Sequence, residues 1–250
     1  LLSELAQGGT AVGTGVNAHR DFASKVCGLI SQEIGVQIQE TDNHFQAQNT
    51  IDAVVETSGV LRTIAVSLNK IANDIRWLGS GPRAGLGELA LPEVQPGSSI
   101  MPGKVNPVIA ESVIQAMAEV IGNDQTICLA GLGSYFELNL MMPVAAHNLL
   151  QSIHLLGASS QNFSNQCVEG LKATDVGPQM VERGLMLGTA LAPALGYDRA
   201  TEIAKTAAAS GTTIREVVLE KTDMTPEELD GLLNLEQMTE PGLGSGNSSG

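Results

Sequence analysis

The sequence predicts an all-α protein: a bundle of long helices followed by a small C-terminal helical domain. Three observations predict it. Aromatic residues are only 3% of the 250, so a core must be built from Leu, Ile, Val, Ala and Met, a palette suited to packed helices rather than a β-sandwich. Apolar or small residues recur at Ile51, Val54, Val55, Ser58, Leu61, Ala65, Leu68, Ile71, Ala72, Ile75 and Leu78, a three-four alternation close to the period of supercoiled helices. Clusters of glycine and proline, as at Gly79, Gly81 and Pro82, then separate stretches of this kind.

Bulk properties narrow the function classes. The formal charge is −14, which argues against nucleic acid and anionic membrane surfaces as partners. No uncharged apolar run is long enough to span a membrane. Cys27, Cys128 and Cys167 are widely spaced and odd in number, which fits reduced, packed thiols and no metal site. The chain opens at Leu1 without an initiator methionine or a targeting segment, and reads as a piece beginning mid-protein. A cytoplasmic setting is expected, with a mitochondrial one left open by the unread start.

In order, Leu1 to Gln7 reads as the end of a helix. Gly8 to Gly15 is a glycine-rich turn that superficially mimics a phosphate loop. No strand precedes it and no Gly-Lys-Ser/Thr follows, so a tight helix crossing with close backbone approach is expected. His19 to about Ile34 is amphipathic. Glu40 to Asn49 is polar, with Asp42 or Asn43 as a cap. Phe45 to Leu78 is expected to form one helix roughly 50 Å long at about 1.5 Å per residue. Gly79, Gly81 and Pro82 stop it. Ser80 to Pro96 is irregular, with Arg83 facing solvent.

The stretch from Gly97 to Pro107 holds two glycines, two serines and one lysine, with no acid. Asn106 suits an N-cap and Pro107 the first helical position, opening a helix from Val108 to about Leu129. Backbone N–H groups, two hydroxyls and an ammonium are thereby delivered to a helix N-terminus, a place to hold an anion. From Leu89 to Pro107 the only acid is Glu93, so the local potential differs from the net charge.

Gly131 and Gly133 end that helix, and another runs from about Leu138 to Ser164, interrupted or kinked near Pro143. His147 and His154 share a face but lack further ligands, and are expected to be hydrogen-bonded structural residues. Gly170 to Gly177 marks a boundary. Beyond it lie helices at about Gln179 to Leu195, Tyr197 to Ser210 and Thr213 to Lys221, then one opened by Thr225 and Pro226. The domains are expected at 1–172 and 173–240, with a Gly/Ser/Asn tail at 241–250 that is expected to be disordered.

Gly97-Ser98-x-x-Met101-x-x-Lys104-x-Asn106 resembles the signature loop of the fumarase/aspartase superfamily. The flanks resemble class II fumarate hydratases: Gly8-Gly9-Thr10-Ala11-Val12-Gly13-Thr14-Gly15, Ile71-Ala72-Asn73-Asp74-Ile75-Arg76-Trp77-Leu78 and Phe136-Glu137-Leu138-Asn139. The resemblance runs from Leu2 to about Pro241, and its final part resembles the C-terminal domain of that family. It implies reversible hydration of fumarate to L-malate, a step of the tricarboxylic acid cycle, by a homotetramer whose sites are shared between subunits and need no cofactor or metal. By the resemblance Ser98 takes the proton, and Ser99, Lys104, Val105 and Asn106 bind substrate. Glu111 supports a histidine that handles water on the other face. That histidine has no counterpart among His19, His44, His147 and His154, so the chain alone is expected to be inactive. The glycine turn is placed near the active site. Aspartate ammonia-lyase is the nearest alternative, set apart by Ala where Gly103 stands and by lacking Phe-Glu-Leu-Asn. A non-catalytic helical oligomerisation fragment is the alternative from another class.

Overall fold

A computed structural model describes residues 2–241. It is mostly helical and divides into two compact units, Leu1–Gly79 with Leu91–Lys172, and Ser80–Ala90 with Ala173–Gly250. The tail expected to be disordered lies, from residue 242 on, outside the described residues.

The first unit begins differently from the sequence expectation. Instead of ending a helix, Glu4–Leu5 forms a two-residue strand, β1, paired in parallel with Gln39–Glu40, β2. The extended segment after the first helix offers the backbone groups that residues 4–5 pair with, and this contact is invisible in local periodicity. Helix α1 is Phe22–Ile34, closed by Gly35 in the left-handed conformation (φ 69°).

The expected 45–78 helix is two helices. α2 is His44–Asn49, capped by the Asn43 side chain accepting from Gln46 N–H. Thr50 is extended, Ile51 turns into the core at 8% exposure, and α3 runs Asp52–Leu78. At 27 residues α3 is about 40 Å long. Gln46 reaches across the break to Asp52 Oδ2 at 3.3 Å. At Gly79 a Cβ would lie 2.6 Å from Leu91 Cγ, so glycine is needed where the chain crosses itself.

α4 is Val108–Gly131. A hairpin of β4, Ser134–Tyr135, and β5, Leu138–Asn139, follows. α5 is Met142–Gln166. Pro143 stands in its first turn, where a missing N–H costs nothing, so of the expected interruption or kink there is no kink: the chain is extended at Leu138–Asn139 and the helix starts just before the proline. α3, α4 and α5 pack as the core of this unit, around Ala65, Ala72, Val113, Met117, Val120, Leu156 and Phe163. A smaller cluster of Ile51, Ala130 and Ala145 closes the α3-start end. Short strands Leu89–Ala90, β3, and Lys172–Ala173, β6, complete the extended segments.

The second unit carries α6, Val176–Arg183, α7, Gly188–Leu195, α8, Tyr197–Ser210, α9, Ile214–Lys221, and α10, Pro226–Leu232. The stretch expected as one helix over 179–195 is broken at Gly184, which is extended, and joined by a 3-10 turn at Leu185–Leu187. Gly211 (φ 72°) turns α8 into α9, as the sequence indicates. Capping boxes open α9 (Thr213 with Glu216) and α10 (Thr225 with Glu228). Leu187, Leu191, Ile203, Ile214, Val218 and Leu229 form its core. Arg215 ties α6 to α10, its Nε 2.8 Å from Glu182 Oε1 and its Nη1 on Asp230. Among the described residues no helix is long and apolar enough to cross a membrane.

Candidate active-site loop

The 97–107 loop is a backbone ring. At Gly97 a Cβ would lie 1.9 Å from the Lys104 carbonyl oxygen, so the two arms of the loop touch and only glycine fits. Asn106 closes the ring, its Nδ2 donating to the Gly97 carbonyl at 2.6 Å. Lys104 N–H donates to the Met101 carbonyl at 3.3 Å, and Gly103 takes φ 75° to allow that turn.

Ser98 lies inside this ring. Its Oγ accepts N–H bonds from Ile100 at 3.2 Å and Met101 at 3.1 Å. Two fixed donors on one hydroxyl oxygen favour negative charge there. Ser98 and Asn106 are half-buried, whereas Ser99, Lys104 and Val105 are exposed.

The helix start differs by one residue from the sequence expectation. Pro107, not Asn106, is the N-cap of α4, and its carbonyl accepts from Glu111 N–H at 2.9 Å. The Asn106 side chain is turned back to Gly97 and is not available to cap. No side chain caps α4, so its leading N–H groups retain the partial positive charge of a helix start.

Glu111 stands in the first turn of α4, half-exposed, with Oε1 3.7 Å from Nε of Arg76 in the last turn of α3. Sequence reasoning did not single out Arg76. It lies within the 71–78 block that carries the resemblance and at the basic end of a long helix, but its pairing with Glu111 emerges only from the antiparallel α3–α4 packing. The loop and the first turn of α4 thus bring Ser98, Ser99, Lys104, Val105, Asn106 and Glu111 into one stretch of the surface, with Arg76 beside it.

The glycine turn lies elsewhere. Gln48 of α2 donates to the Thr10 and Ala11 carbonyls, both at 3.2 Å, and a Cβ on Gly13 would lie 2.9 Å from Phe45 N. Close backbone approach is therefore the reason for its glycines. The β4–β5 hairpin joins the same end of α3: Asn49 Nδ2 donates to the Phe136 carbonyl at 2.7 Å, and Ser134 Oγ bonds the Asn49 carbonyl. Within one chain, then, the glycine turn and the Phe-Glu-Leu-Asn hairpin sit at the start of α3 and the 97–107 loop at its far end, about 40 Å away.

His147 and His154, expected as hydrogen-bonded structural residues, are instead exposed on α5, off the face that buries Ala145, Asn148, Leu149, Ser152 and Leu156. His44 bonds the Gln7 carbonyl through Nε2 at 2.9 Å. The described residues hold no group of three or more His, Cys, Asp or Glu that would bind a metal ion.

Comparison with known proteins accounts for this geometry. Residues 1–122 match a family described as Lyase, and residues 187–240 match the fumarase C C-terminus. A class II fumarate hydratase of Methylorubrum extorquens is 50% identical over 238 residues, 95% of this chain and 50% of the relative. The chain is similar to fumarase-family lyases along nearly its whole length. Among solved structures, a fumarate lyase:delta crystallin from Brucella melitensis bound to cobalt superposes with a TM-score of 0.91 at 46% identity, covering 96% of this chain and 52% of that one. A class II fumarase from Schistosoma mansoni gives 0.87 at 34% identity, covering 93% and 52%. The chain spans about half the length of the curated fumarase-family relatives it matches.

Proposed function

We propose that this chain carries the proton-abstracting side of a class II fumarate hydratase site, interconverting L-malate and fumarate. The observation that carries the reading is the pair of backbone N–H donors held on Ser98 Oγ inside a loop that leads into an uncapped helix start. The proton next to a malate carboxylate is weakly acidic, and removing it places a second negative charge on that carboxylate. Ser98 takes the proton from the carbon next to the carbinol carbon. Its own alkoxide form is supported by the Ile100 and Met101 N–H groups and the α4 dipole. Lys104, Asn106 and the loop backbone hold the dianion that forms. The carbon–carbon double bond forms as the carbon–oxygen bond breaks, and the departing hydroxide receives a proton on the opposite face to leave as water. Glu111, oriented by Arg76, supports the group that supplies that proton.

The site is assembled from several copies of the chain. Two blocks of the family pattern lie at one end of α3 and the signature loop at the other, so one copy cannot bring them together, whereas antiparallel copies can. A homotetramer in the cytoplasm is the assembly this reading favours. The tricarboxylic acid cycle is the setting of the reaction, and the chemistry requires no cofactor.

The chain alone is expected to be inactive, so the test is complementation. The chain is refolded together with a class II fumarate hydratase whose own signature-loop serine has been replaced by alanine, and fumarate formation from L-malate is followed. The wild-type chain is expected to restore turnover, whereas Ser98→Ala restores none and Glu111→Gln restores little. Equal rescue by the Ser98→Ala chain rejects the assignment. Rescue of aspartate deamination instead, with an ammonia-lyase partner, redirects it to that branch of the superfamily.

A further inference from the structure

We propose that Asn123 and Asp124 are a register pin for the α3–α4–α5 core, holding α4 at the one axial position where Glu111 meets Arg76. They are positioning residues, and the inference does not depend on which reaction the site performs.

Apolar packing alone says little about the register of these helices. The residues α3 buries are Ser58, Ala65 and Ala72, one heptad apart and all small. A seam of this kind presents nearly the same surface after a slide of seven residues, about 10 Å along the axis. On α4 the facing side chains are aliphatic or Met above and below position 124. Area burial alone therefore leaves neighbouring registers close in energy.

The polar residues break that degeneracy. Asp124 is 1% exposed and Ser58 2%. Ser58 Oγ donates to Asp124 Oδ1 at 2.7 Å, and Arg62 Nη1 donates to Oδ2 at 2.6 Å. Ser58 and Arg62 are one turn apart on α3, so together they form a socket for one carboxylate. After a one-heptad slide Asp124 would face Ala65 and Asn69 and lose its cation, and a buried carboxylate without a partner is strongly disfavoured. Asn123, the next residue, does the same toward the other neighbour, its Nδ2 donating to Gln151 Oε1 at 3.0 Å and Ser152 Oγ at 3.1 Å on α5. Consecutive side chains on α4 thus fix it against two helices at one level.

That level determines the loop end. Arg62 and Arg76 are 14 residues apart on α3, and Glu111 and Asp124 are 13 apart on the antiparallel α4. Both ion pairs therefore belong to the same stagger, and a slide that breaks one breaks the other.

Spin labels at exposed Thr63 on α3 and Gln115 on α4 test this in the 250-residue chain, with Cys27, Cys128 and Cys167 replaced by alanine and the sample diluted with unlabelled chain. Pulsed electron spin resonance is expected to give one narrow distance. The apolar variant Ser58→Ala, Arg62→Leu, Asp124→Leu is expected to stay helical, melt no lower than the parent and show a second distance. A second variant moves the socket one heptad along α3 by Ser58→Ala, Arg62→Leu, Ala65→Ser and Asn69→Arg, leaving Asp124 in place. Its distance is expected to change to that of the shifted register. A single unchanged distance in both variants overturns the proposal. Unfolding of the apolar variant also counts against it, because a register device is dispensable for folding where a stability element is not.

Discussion

Gly97 faces the tightest packing in the loop. A methyl there would meet the Lys104 carbonyl oxygen at 1.9 Å, so Gly97→Ala must force the two arms apart. The expected result is lost hydrogen-exchange protection at Ile100 and Met101, whose N–H groups are held by Ser98, with the α4 amides unaffected. Asn106→Ala removes the 2.6 Å bond that closes the ring and is expected to raise those exchange rates about five-fold, equivalent to about 1 kcal/mol. The sequence made Asn106 conspicuous but as a helix cap, because side-chain preference reads only the chain on either side. Its partner, nine residues back, becomes visible only when the loop is folded. The pairing of Arg76 with Glu111 is hidden for the same reason. The thiols divide by burial: Cys27 and Cys167 are buried, and burial pushes the Cys167 thiol above its ordinary value. A disulfide exchange reagent is expected to modify Cys128 first in the native chain, and all three only after denaturation.

Among the elements, those with a strong local signal stand where the sequence puts them. α8 ends at Gly211, and Thr213 and Thr225 cap α9 and α10 because a side-chain oxygen and an N3 glutamate lie in the right places along the chain. Breaks set by tertiary packing did not announce themselves. No glycine or proline marks a break around Thr50, but Ile51 is drawn into a cluster with Ala130 and Ala145, and the helix is interrupted there. The α9 cap has a pH signature. Hydrogen bonds from the Thr213 backbone N–H and hydroxyl hold the Glu216 carboxyl below its ordinary value. A carboxyl depressed in the folded state contributes stability that is full above the unfolded carboxylate range and lost as pH falls through the folded value. The thermal stability of the second unit is therefore expected to fall in acid partly through this group. Thr213→Ala should cost about 1 kcal/mol at neutral pH, the usual loss for an N-cap, and flatten the acid dependence. An unchanged acid limb in that variant would place the sensitivity elsewhere.

At the level of the molecule, the distribution of apolar surface bears on assembly. α3 exposes Val60, Ile64, Val66 and Ile71, α5 exposes Leu150 and Ile153, and the α4–β4–β5 end exposes Leu129, Leu132, Phe136 and Leu138. Isolated apolar residues on a surface are ordinary, but groups of them along α3 and α5 and at the end of α4 are the pattern of surfaces that meet another chain. The chain's charge of −14 works against that meeting, since like-charged copies repel. Burial is short-ranged and nearly indifferent to moderate salt, whereas the repulsion is screened over about 10 Å at 0.1 M. Association driven by the apolar faces should therefore strengthen as salt is added, the opposite of an interface held by ion pairs. In sedimentation velocity at micromolar concentration the weight-average mass is expected to exceed that of one chain and to rise between 20 mM and 300 mM sodium chloride, salt levels set about the screening range. Charged substitutions at Ile64 and Ile153, one on each exposed face, should return it to the monomer without loss of helix. A monomer at both salt concentrations would leave the signature loop and the glycine turn on separate ends of one molecule, with no second copy to join them.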